Sequence, residues 1–127
     1  MTIRESHQDS KVDVDGNPIV SGTAIALRET FKRLGAVMDG EIDSVRNRGM
    51  QRQLGIQNLD AHGYHWVNLT SPNGEKREFT TQIEGREPYV DLTLESIPFL
   101  ARKIKEGTRG EIYTPVDVIK ERMEPIA

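Results

Sequence analysis

Two short stretches hold the side chains best suited to chemistry. Glu5-Ser6-His7-Gln8-Asp9-Ser10-Lys11-Val12-Asp13 places an imidazole four residues ahead of an ammonium, and Ser21-Gly22-Thr23-Ala24 follows after a turn-prone segment. His7 can donate a hydrogen bond or a proton to a developing nitrogen or carbanion centre, and Lys11 can neutralise an anion beside it. A helix starting at Ser21-Gly22-Thr23 presents unpaired backbone N–H groups of positive dipole character, and Gly22 lets an anion approach them closely. Spacing alone is also compatible with a plain helix cap and with a structural histidine at a strand end.

The elements that must position these residues follow from local pattern. Residues 2–7 read as a strand. Residues 8–20 read as a loop, with a turn at Asp15-Gly16-Asn17-Pro18. Ala24, Leu27, Phe31 and Leu34 recur at helical spacing, capped by Ser21 or Thr23 and ended near Gly35. Residues 41–46 suit a strand and 47–60 a polar loop with one helical turn. Residues 63–70 and 75–83 flank Pro72-Asn73-Gly74 and predict an antiparallel hairpin. Val90, Leu94, Ile97, Ala101 and Ile104 predict a helix that runs through Pro98, and Pro115 opens a last helix reaching Met123. The whole is α+β, a small mixed or antiparallel sheet covered by helices.

Composition narrows the functional classes. The 127 residues suit one domain, read here as 1–127. A net charge of −3 leaves no broad basic surface to neutralise phosphates, which argues against nucleic acid. No apolar run approaches the length of a spanning helix, which argues against a membrane role. Cysteine is absent, which suits a reducing compartment, and the cytoplasm is the expected location. His62 and His65 lie three apart on a strand and so face opposite sides, so no metal site is expected with Asp60. Tyr64 and Trp66 share a face and suit sheet packing, while the run from Arg46 to Arg52 reads as a solvated segment without a role.

The pattern Glu5-Ser6-His7-Gln8-x-x-Lys11-x-Asp13…Ser21-Gly22-Thr23-Ala24 resembles the signature of the dihydrodipicolinate (4-hydroxy-tetrahydrodipicolinate) reductases, in the form found in plants. The similarity continues through Leu54-Gly55-Ile56, Leu59-Asp60-Ala61-His62-Gly63-Tyr64-His65, Leu69-Thr70-Ser71-Pro72-Asn73-Gly74, Phe99-Leu100-Ala101-Arg102-Lys103 and Tyr113-x-x-Val116-Asp117-Val118. It implies the substrate-binding and oligomerisation domain of that family. His7 and Lys11 match its catalytic residues. Ser21, Gly22, Thr23, Gln8 and Arg86 match positions that hold the cyclic dicarboxylate. The same resemblance implies a homo-oligomer, a tetramer by preference, and hydride from NADPH or NADH held by a Rossmann domain.

Two departures stand out. The loop spanning 14–20 is longer than the family's tight connection, and no Gly-x-Gly-x-x-Gly lies between a strand and a helix. The nucleotide-binding domain is therefore expected outside this chain. The alternative is a stand-alone dicarboxylate-binding or assembly module without reductase activity. In either case the purified chain is expected not to oxidise NADPH or NADH in the presence of the cyclic dicarboxylate. Loss of the dihydronicotinamide absorbance with pure material would contradict this.

Overall fold

The computed structural model describes residues 1–123. Its elements in chain order are β1 (Thr2–His7), α1 (Gly22–Arg33), β2 (Asp43–Val45), α2 (Arg48–Gln53), β3 (His62–Thr70), β4 (Lys76–Glu84), α3 (Glu87–Lys105) and α4 (Pro115–Met123). The strands form one sheet in the order β2-β1-β3-β4. β1 and β2 are parallel, which requires a long crossover, and the segment carrying α1 supplies it. The β1–β3 and β3–β4 pairs are antiparallel, so the sheet is mixed and the fold is α+β. The chain divides into two compact units, Met1–Gly85 and a second beginning at Arg86.

Alternation along the strands divides the first unit into two layers. Ile3, directly opposite Val67, packs under α1 with Ala24, and Leu27, Phe31 and Leu69 close around them. Phe31 also meets Phe79 of β4, ring centroids 5.3 Å apart. On the opposite face Tyr64 is buried with Ile56 and Leu59, and Trp66 packs beside it. The loop from 54 to 61 is pinned there by Glu84, which accepts the Tyr64 hydroxyl at 2.6 Å and the Gln57 amide at 3.1 Å. Leu69, Phe79 and the Tyr64–Trp66 pair thus fall on different faces, and the hairpin does not present one continuous apolar surface.

The β3–β4 turn has Gly74 at φ 85°, the left-handed conformation the Asn-Gly pair predicts. α1 is capped by Ser21, whose Oγ accepts the Ala24 amide at 3.0 Å, and it ends on Lys32 and Arg33, which suit the negative end of its dipole. In the second unit α3 runs unbroken past Pro98, and Phe99 is buried with its ring edge-on to Tyr113 at 5.2 Å. Arg102 pairs with Glu121 and Arg122 with Glu95, tying α3 to α4.

One ion pair lies inside the first unit. The Arg46 guanidinium meets Glu5 Oε1 at 2.7 Å, with side-chain exposures of 7% and 0%. The same guanidinium donates to the carbonyls of Lys11 at 3.1 Å, Ile19 at 2.8 Å and Val45 at 3.0 Å. Arg46 is a tertiary staple, and the expectation of a solvated arginine segment without a role fails at this residue. The reason is tertiary: β2 ends beside β1, which carries Arg46 to the only buried carboxylate among the described residues. Arg46→Met should lower stability by about 3–5 kcal/mol, because it leaves the Glu5 charge buried and unpaired. Denaturant unfolding checks this, and the Glu5→Gln/Arg46→Met double variant should recover part of the loss.

Candidate functional site

The register of the sheet assembles the site. Glu5 stands opposite His65 and His7 opposite Gly63, and His65 stands opposite Thr81 on its other side. Glu5, His7, His65 and Thr81 therefore share the face that α1 covers, beyond the apolar layer of Ile3 and Val67.

His7 Nδ1 lies 2.5 Å from Glu5 Oε2. Burial alone would push the Glu5 carboxyl up, but the hydrogen bonds from His7 and Arg46 and the Arg46 charge outweigh it and hold the group at about 2. Glu5 is thus a carboxylate at neutral pH and can only accept. The proton of this contact belongs to His7 Nδ1. Gly63 faces the other end of the ring, where a Cβ would lie only 3.2 Å from Nε2. The His7 backbone is fixed as well, because Gln51 of α2, fully buried, donates from Nε2 to the His7 carbonyl at 2.7 Å.

His65 lies edge-on to His7 with ring centroids 5.3 Å apart. The Ser21 hydroxyl, which accepts the Ala24 amide at 3.0 Å, also lies 2.9 Å from His65 Nε2. His65 Nδ1 is hydrogen-bonded to Thr81 Oγ1, also at 2.9 Å. Burial, helped by the positive charges of His7 and Lys11, pushes the His65 pKa down to about 4, so the ring is neutral near pH 7. His62, on the opposite face, donates from Nδ1 to the Asn58 carbonyl at 2.9 Å and accepts the Ser6 hydroxyl at Nε2 at 2.9 Å. Burial lowers its pKa too.

The loop spanning 8–20 is a closed excursion. Val12 bridges Pro18, the Asp13 amide donates to the Asn17 carbonyl at 2.8 Å, and the Ile19 amide donates to the Lys11 carbonyl at 3.1 Å. The extra residues protrude as a small hairpin, and Lys11 is brought back beside Ile19, two positions before the helix cap. With Ser21 bonded to His65, the start of α1 adjoins the His7 cluster. The amides of Gly22 and Thr23 have no intrachain acceptor among the described residues, and both residues are exposed.

His7, Lys11, Ser21, Gly22 and Thr23 are thus gathered at one end of the sheet. Ser21 is buried and its hydroxyl is engaged on both sides, so it positions the helix start and does not present a free group to a ligand. Gln8 follows His7, half-buried, and its carbonyl accepts the Lys11 amide at 3.0 Å. Arg86 belongs to the second unit, at the N-cap position of α3.

Sequence reasoning passed over Glu5, Arg46, Gln51 and His65. The alternation of β1 puts Glu5 on the same face as Ile3, a sign that a buried partner would be needed. Nothing local marks Arg46 or Gln51 as that partner or as the backbone clamp. His62 and His65 do face opposite sides, as their spacing requires. A different trio, Glu5, His7 and His65, has ligand atoms within 4.8 Å of one another. Both His65 nitrogens, His7 Nδ1 and both Glu5 oxygens are already hydrogen-bonded, so the trio is built as a polar network and not as an open cage for a cation.

The chain is similar to known proteins over almost its whole length. The chain is 33% identical over 126 residues to 4-hydroxy-tetrahydrodipicolinate reductase 2, chloroplastic, of Arabidopsis thaliana, an alignment covering 95% of the chain and 34% of the relative. The probable reductase 1, chloroplastic, of Oryza sativa subsp. japonica is also 33% identical, over 95% of the chain and 35% of its own length. Over this stretch the chain is a homologue of the plant 4-hydroxy-tetrahydrodipicolinate reductases. It spans about a third of the length of these relatives, the extent of a domain. No protein-family model matches the chain. The relatives' names place them in the chloroplast, whereas the sequence alone suggested the cytoplasm. No helix among the described residues is long and apolar enough to cross a membrane.

The buried neutral His65 makes a stability prediction with a definite sign. Its folded pKa lies below its ordinary value of 6.5, at about 4, so its contribution is complete above 6.5 and is lost as the pH falls towards 4, where the folded state must bury a charge. The loss across this window should be about 3 kcal/mol. Denaturant unfolding across that range should show it, and His65→Gln should flatten this part of the profile.

Proposed function

We propose that this chain is the substrate-binding and subunit-assembling domain of an NADPH- or NADH-dependent 4-hydroxy-tetrahydrodipicolinate reductase of lysine and diaminopimelate biosynthesis. The observation that carries the reading is the gathering of His7, Lys11, Gly22 and Thr23 at one end of the sheet in a homologue of the plant reductases. One carboxylate of the cyclic dicarboxylate would sit at the Gly22 and Thr23 amides, with the Thr23 hydroxyl beside them and Lys11 supplying the countercharge. Gln8 would add to the recognition of the dicarboxylate within the first unit. His7 would hold or deliver the proton that accompanies hydride transfer to the ring.

The residues present do not fit a dinucleotide. The β1–α1 connection is a hairpin followed by a single glycine at the helix start, with no glycine-rich turn for a pyrophosphate. In this reading the nicotinamide and its hydride come from a Rossmann domain in cis. The chemistry of this chain is confined to binding, orienting and protonating the substrate.

Pyridine-2,6-dicarboxylate, a planar analogue of the substrate, tests the site. Titration of the isotope-labelled chain should shift the Gly22 and Thr23 amides at millimolar ligand, since the helix start alone contributes roughly 1 kcal/mol. Lys11→Met should weaken the affinity about fivefold or more, equivalent to about 1 kcal/mol. Unmoved Gly22 and Thr23 amides would refute the assignment.

For assembly, the open face beside Trp66, with a depression of about 370 Å³ lined by Arg4, Leu54, Trp66 and Asn68, is the surface we assign to a self-complementary contact, in a tetramer by preference. Light scattering on the chain should give a multiple of 14.4 kDa that Trp66→Glu reduces. A single unit at micromolar concentration would overturn the assembly.

A further inference from the structure

The cluster around His7 has a feature that the functional reading does not use. Free imidazole prefers to carry its proton on Nε2, yet His7 is held by an ionised carboxylate at the opposite nitrogen. Glu5 cannot turn away, because its second oxygen is bound to Arg46 at 2.7 Å and its side chain is fully buried. His7 cannot slide either, because Gln51 holds its carbonyl and His65 lies edge-on to its ring. The neighbouring histidine offers no competing partner, since both nitrogens of His65 are engaged by Ser21 and Thr81. Among the described residues His7 Nε2 has no hydrogen-bond partner, and it looks over Gly63, which has no side chain to cover it.

We infer that Glu5, locked by Arg46, is a positioning residue that fixes the proton of neutral His7 on Nδ1 and so makes Nε2 the nitrogen that meets the substrate. The inference rests on the reading of His7 as the residue that exchanges a proton. It adds which nitrogen does so and what dictates the choice. A proton delivered from Nε2 leaves the ring in the tautomer that Glu5 already stabilises, so no ring flip is needed between turnovers. The ordering is that of a carboxylate behind a histidine, in which the carboxylate accepts throughout and never carries the proton itself.

The imidazole ¹⁵N shifts and two-bond ¹H–¹⁵N couplings of the labelled chain read the tautomer directly. In the unaltered chain, at a pH where His7 is neutral, we expect the proton on Nδ1. Glu5→Gln supplies the decisive contrast. Arg46 will keep the amide oxygen, which turns the NH₂ towards His7 Nδ1, and that nitrogen must then accept. The proton should move to Nε2 in the folded variant, an inversion that a merely structural Glu5 would not produce. A wild-type His7 protonated on Nε2, or a tautomer unchanged in folded Glu5→Gln, overturns the inference. The wild-type spectrum alone decides the matter if the variant does not fold. Failure of the underlying reading has a separate signature: in the chain joined to a nucleotide-binding domain, His7→Gln would leave turnover unchanged while the tautomer result still held. If both stand, Glu5→Gln in that joined enzyme lowers kcat on the order of 10²-fold with KM nearly unchanged.

Discussion

The Glu5–Arg46 pair is the contact on which most of the first unit depends. Two charges removed from water are tolerated only when partners replace much of their hydration, and here four guanidinium donations and two contacts to the carboxylate do so. The guanidinium meets one carboxylate and three carbonyls, and the carboxylate meets one guanidinium and one imidazole. Those carbonyls come from both strands of the hairpin insertion and from the end of β2. A single side chain therefore ties both arms of the insertion, at Lys11 and at Ile19, to the end of β2 and to β1. An apolar pair of similar volume would give comparable stability, but it would neither gather three separate backbone segments nor present an anion to His7.

That arrangement separates three histidines into different roles. His62 and His65 each engage both ring nitrogens in hydrogen bonds, one of them with a serine hydroxyl, and burial disfavours a charge on either. Only His7 faces a carboxylate. Keeping His65 neutral 5.3 Å from His7 also avoids a repulsion that would oppose a proton on His7. The neutral rings act as rigid hydrogen-bonding spacers. His65 links β3, β4 and the cap of α1, so the start of the helix is tied to the same sheet face as His7.

The second unit is held differently. Its order comes from Phe99 against Tyr113 and from surface ion pairs between α3 and α4, each of which contributes little by itself. Val90, Leu94, Ile97 and Ile104 repeat along α3 at helical spacing and are largely exposed. The stripe that predicts the helix is thus not the face that holds it to α4, because Leu92, Ser96 and Phe99 lie on the other side of the same helix.

The elements themselves were legible in the sequence because local rules suffice for them. The alternation of 2–7, the helical repeat from Ala24, the Asn-Gly turn and the Pro-initiated last helix each reappear within a residue or two of their expected bounds. The signature residues His7, Lys11, Gly22 and Thr23 were legible too, through their order along the chain. What only the tertiary structure decided is how these residues are wired. Register places Glu5 beside His65 and Gly63 beneath His7, and neither neighbour is predictable from sequence separation, since a slip of one residue would send each to the opposite face. Arg46 and Gln51 looked like polar surface because the sequence around them is polar. They are buried because β2 and α2 fold back across the end of β1. The long insertion, a mere count of residues in the sequence, folds as a hairpin that brings Lys11 back beside Ile19. Residue type and order determine which chemistry is available, whereas the proton's place on His7 is set by contacts made across 41 residues of chain between Glu5 and Arg46.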